Sequence, residues 1–105
     1  MTIAGQPLGS EERAEPREPV LYRTRLIGAD GAEHSATLVN VSPSGFMARC
    51  DAAHAPGDAI QVLLPRLGRV AAEVRWSLGG RIGCQLKRAC GLADYHALLQ
   101  ALPRG

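Results

Sequence analysis

Ala36-Thr-Leu-Val-Asn-Val-Ser-Pro-Ser-Gly-Phe-Met-Ala-Arg-Cys50 decides the fold. Two apolar, β-branched runs, Ala36 to Val41 and Phe46 to Cys50, flank Ser42-Pro43-Ser44-Gly45. Ser, Pro and Gly favour tight turns, so the stretch reads as two strands joined at a corner that presents polar groups. The same grammar extends both ways. Val20 to Ile27 and Ser35 to Val41 are separated by the hairpin dipeptide Asp30-Gly31. Ala59 to Leu64, Arg69 to Trp76 and, after Gly79-Gly80, Arg81 to Leu86 follow. Six short strands at this spacing predict a mainly β chain, an antiparallel barrel closed or nearly closed.

The ends differ from the middle. Residues 1–19 hold Gly5, Pro7, Gly9, Pro16, Pro19 and four glutamates with almost no apolar periodicity, which predicts a flexible N-terminal arm. Residues 20–105 form the folded unit. At its end Leu92, Tyr95, Leu98, Leu99 and Leu102 recur at three- and four-residue steps between Gly91 and Pro103. That spacing predicts one amphipathic helix of about three turns, its leucines laid on the barrel or on a partner.

Composition narrows the function classes. A chain of 105 residues with 46% hydrophobic content has room for one small core. The net charge of +2 falls short of the basic stripe of a duplex-DNA binder. The four aromatics, Tyr22, Phe46, Trp76 and Tyr95, are too few for a single-strand groove. Cys50, Cys84 and Cys90 lack paired metal or redox spacing and read as small core residues in a reducing compartment. His34, His54 and His96 share no metal-set spacing and read as surface residues, and no metal or other cofactor is expected. Without an export signal or a membrane-length apolar run, a cytoplasmic protein is expected. A nucleophile elbow, a phosphate loop and a carboxylate pair are all missing, so the chain is not expected to be an enzyme.

Two short signatures carry the chemistry. Arg13-Ala-Glu-Pro-Arg17 supplies two guanidinium forks suited to phosphate oxygens or the O6/N7 edge of guanine. Pro16 bars a regular helix interior there. Asn40-Val-Ser42-Pro-Ser-Gly45 adds an amide and a hydroxyl, and Gly45 permits positive φ and close approach of a flat ligand. In this order and spacing the pair RxxxR and [D/N]xSxxG resembles that of the PilZ domains, receptors of the bacterial messenger cyclic di-GMP. The likeness runs on through Pro56-Gly57-Asp58, Val74-Arg75-Trp76 and Ile82-Gly83-Cys84-Gln85-Leu86, covering residues 11 to 88.

The resemblance implies a six-stranded PilZ-like β-barrel that binds cyclic di-GMP through Arg13, Arg17, Asn40, Ser42 and Gly45. It further implies an effector in motility or biofilm signalling, whose arm closes on the ligand and whose output is contact with an unidentified downstream protein. A monomer or weak dimer is expected, without DNA, RNA or membrane insertion. Glu12 stands where the family often has a further Arg, which disfavours a stacked ligand dimer. Trp76 ends a strand and is read as a cap on the core rather than a guanine-stacking surface. The rival reading keeps the barrel without the nucleotide: a degenerate interaction module whose exposed helix face, around Leu98 to Leu102, docks to a partner.

Overall fold

A computed structural model of the chain describes residues 15–105, and Arg13 lies outside them. Six antiparallel strands follow one another: β1 (Glu18–Ile27), β2 (Glu33–Ser42), β3 (Gly45–Arg49), β4 (Ala59–Leu64), β5 (Gly68–Leu78) and β6 (Arg81–Leu86). They close into a barrel in the order β1-β2-β3-β6-β5-β4, as the strand spacing predicts. One helix, α1 (Leu92–Ala101), follows.

Alternation builds the core. Leu26, Leu38, Val62 and Val74 are fully enclosed, joined by Val41, Phe46, Ile60 and Ile82. Each such side chain contributes about 1.5 to 3 kcal/mol on leaving water. Closure between β1 and β4 is brief, only Leu26 opposite Val62 and Ile27 opposite Gln61. The start of the same edge, Pro19 to Leu21, is covered by the segment after the helix. The Leu21 amide donates to the Pro103 carbonyl at 3.0 Å, and Val20 bridges to Arg104. Unpaired backbone groups that would otherwise need water are thereby satisfied.

Three expectations are corrected. Glu18 and Pro19, assigned by composition to the arm, pair with Val41 and Asn40 in β1; Pro19 is tolerated because the strand is irregular just after it. Leu98 and Leu102 are only 2% and 5% exposed, packed into the core, so they form no free docking face. Leu92, counted among the packing leucines, is 87% exposed at the first turn. The helix is fixed to the barrel by those two leucines and by the Tyr95 hydroxyl, which donates to the Val41 carbonyl at 3.3 Å. Burial raises the Tyr95 pKa, and Glu18 and Glu15 raise it further.

Candidate functional site

Three ladders contain one extra residue each: β1 between Pro19 and Tyr22, β2 between Leu38 and Asn40, and β5 between Val74 and Trp76. Such bulges turn the following side chains to the other face. In β2, Ala36 and Leu38 point inward, and strict alternation would send Asn40 after them. The bulge instead seats Val41 in the core and leaves Asn40 at the surface, opposite Met47 of β3.

Arg17, just ahead of β1, donates from Nη1 to Oδ1 of Asn40 at 3.3 Å. This contact joins the two signatures. Two residues earlier, Glu15 accepts a hydrogen bond from the Ser44 hydroxyl at the tip of the β2–β3 turn. Glu15 is therefore engaged by the turn while Arg17 is engaged by the strand. Ser42 is buried inside the turn, its hydroxyl 3.5 Å from the Gly45 carbonyl that accepts from it. Gly45 does not adopt the left-handed φ expected of it. A glycine is required there because a Cβ would overlap the Cys84 carbonyl of β6.

Arg17, Ser42 and Gly45 line a cavity of about 230 Å³ together with Arg75 and Trp76 of β5. Trp76 corrects the sequence reading. Ala72 and Val74 point inward, but the bulge at Arg75 places Trp76 on the outer face, 38% exposed, with its indole across Gly83 of β6. Arg75 adds a second guanidinium to the cavity and donates to Oε1 of Gln85. Neither Arg75 nor Trp76 belongs to the site residues that the sequence predicts. The available signal was Gly83, since a glycine within a strand marks the close approach of a neighbouring group.

A larger cavity, about 500 Å³, lies over β4, β5 and β6 and shares Gln85 with the first, but it contains no arginine and neither signature. The smaller cavity is the one lined by guanidinium groups, the side chains best suited to an anion. Among the described residues no group of His, Cys, Asp and Glu side chains gathers to hold a metal, and no helix is long and apolar enough to cross a membrane. His54, expected at the surface, is instead buried, with Nε2 3.5 Å from Cys50 Sγ and its ring edge-on to His34. Cys50 and Cys84 are core residues as expected, and Cys90 is half-buried.

Comparison with family models gives a match to the model described as PilZ domain, over residues 11–101. No curated protein matches the chain.

Proposed function

Because the chain belongs to the PilZ domain family, we propose that it is a cyclic di-GMP-binding adaptor whose site is the cavity between Arg17 and Trp76. The observation that carries this reading is the Arg17–Asn40 contact, which unites the two halves of the motif beside a cavity lined by Arg17, Ser42 and Gly45. Arg17 takes a phosphate and the O6/N7 edge of a guanine, exchanging its neutral Asn40 partner for an anion. Asn40 and Ser42 then turn to the base and sugar. Trp76 supplies a stacking face, worth about 1 to 3 kcal/mol per base. Arg75 has the same chemistry as Arg17 and serves the second phosphate or guanine.

The arm ahead of β1 completes the site by bringing Arg13 to the ligand. Charge-assisted hydrogen bonds contribute about 1.5 to 3 kcal/mol each, and two bidentate arginines offer about four of them. Ordering five residues around the motif opposes this with about 5 to 10 kcal/mol. Glu15 and Arg17 already touch the β2–β3 hairpin, which lowers that cost. Micromolar binding, about 8 kcal/mol, is the expected scale. The ligand draws the arm onto the barrel because it binds the closed arrangement better than the open one. The output is contact with another protein in the bacterial cytoplasm, in motility or biofilm control, and involves no chemistry.

Isothermal titration with cyclic di-GMP, with GTP as control, tests the reading. Saturable heat is expected for the wild type, with affinity reduced at least about a hundredfold in Arg17→Ala through loss of two charge-assisted bonds. Equal affinity in both proteins would place the ligand elsewhere.

A further inference from the structure

Five strands each contribute one residue to a single row around the outside of the barrel. Arg23 of β1 lies opposite Thr37 of β2, Thr37 opposite Arg49 of β3, Arg49 opposite Arg81 of β6, and Arg81 opposite Leu78 of β5. The three arginines are exposed, and Leu78 is 79% exposed. Neighbouring strands are about 4.8 Å apart, so the row spans roughly 14 Å from Arg23 to Arg81. Arg49 and Arg81 are like charges at directly opposed positions, an arrangement that costs stability. Among the described residues the ion pairs are Arg25–Glu33 and Arg104–Glu18, and none of the three row arginines takes part in either.

We propose that this row docks an acidic, partly apolar peptide segment of a partner protein. The segment runs across the strands, carboxylates over Arg23, Arg49 and Arg81 and one apolar side chain on Leu78. Charge complementarity sets its sign, since the uncompensated Arg49–Arg81 pair becomes favourable once carboxylates cover it. The shape of the row selects an extended chain. Its cations form a line one residue wide on a curved surface, and the next arginine along β1, Arg25, is already neutralised by Glu33. A lipid surface engages basic residues spread in a plane, and single-stranded nucleic acid engages cations interleaved with aromatics. With Leu78 one strand beyond Arg81 the full row is roughly 19 Å long, which a peptide of about six extended residues matches.

The row lies two residues along from Met47, Gly83 and Trp76 on the same three strands. The partner therefore sits beside the cavity without entering it, and the surface stands or falls independently of nucleotide binding.

The test is fluorescence anisotropy of a labelled peptide of alternating glutamate and leucine, with phosphatidylserine vesicles and poly(U) RNA as comparators. Wild-type protein is expected to bind the peptide saturably and in preference to both comparators, with affinity falling at least about tenfold as salt rises from about 0.05 to 0.3 M. Arg49→Glu/Arg81→Glu should lose at least about tenfold more. Arg49→Gln/Arg81→Gln, which introduces no acidic pair, should show the same loss in milder form. Arg49→Glu alone should raise the melting temperature, because a like pair becomes an opposite one, and should leave cyclic di-GMP titration unchanged. Absence of peptide binding by the wild type, equal binding by the variants, or preference for vesicles or RNA would each overturn the proposal.

Discussion

The β4–β5 ladder and the β5–β6 ladder share a strand but follow different rules. Between β4 and β5 the register runs unbroken from Ala59 opposite Glu73 to Leu64 opposite Gly68, and every second residue of β4 faces the core. Between β5 and β6 one residue too many is accommodated at Arg75, and beyond it Trp76 stands outside although it continues the Ala72–Val74 series. The same contrast separates β3–β6, which is regular, from β2–β3, where a bulge brings Asn40 out. Unbroken alternation encloses the core. A single extra residue brings a polar or aromatic side chain to the outer face without disturbing the core on either side.

Deletions break this comparison most severely. Removing Gln61 from regular β4 would reverse Val62 and Leu64, exposing two core side chains at about 1.5 to 3 kcal/mol each before any packing loss. Cooperative urea unfolding is expected to disappear. Removing Arg75 should leave β5 in regular register with Trp76 still outside, costing about 1 kcal/mol in the same assay. If both deletions unfold the protein alike, the bulge is not a separable insertion.

Point substitutions sharpen the contrast. Val74→Ala should cost about 2 kcal/mol of stability through an internal cavity while leaving cyclic di-GMP affinity nearly unchanged. Trp76→Ala should do the reverse, costing under about 1 kcal/mol of stability but about tenfold or more in affinity on titration. Adjacent positions of core parity on one strand would thus separate folding from binding.

The smallest effect concerns Cys84, inward on β6 opposite Val74. Burial, and next the neighbouring Cys50 thiol, push its pKa from 9.0 up to about 12. The unfolded chain therefore releases this proton first as pH climbs. The associated stability is fully present below pH 9 and is lost progressively toward pH 12. Denaturation midpoints at about pH 8 and 10 should show a loss on the order of 1 kcal/mol in the wild type that Cys84→Ala lacks.

How far the chain is legible from its residues follows the same division. Ala59–Leu64 and Arg81–Leu86 are found at their expected bounds because apolar alternation and flanking turns coincide there. β5 runs two residues beyond Trp76 because Gly79 and Gly80 both adopt left-handed φ, a tight turn that lets pairing continue to Leu78. Glu18 and Pro19 join β1 through backbone pairing to β2, which charge and proline content do not reveal. Arg17, Asn40, Ser42 and Gly45 are legible as a motif, and all four lie around the β2–β3 turn. Arg75 and Trp76 are not, because Val74-Arg75-Trp76 reads as ordinary alternation and a bulge leaves no compositional mark. His54 is hidden for a related reason: only the folded chain brings the loop after β3 back against Cys50 and His34.

Trp76 is the one tryptophan in the chain, and it is half in water at the wall of the cavity, across Gly83. All indole emission from this protein therefore originates at a single place, the wall of a cavity that Arg17 and Arg75 also line. A purine base laid on that ring would quench it, and withdrawal of the base would restore it. The molecule carries its own optical gauge, able to follow occupancy in real time without a dye or a label.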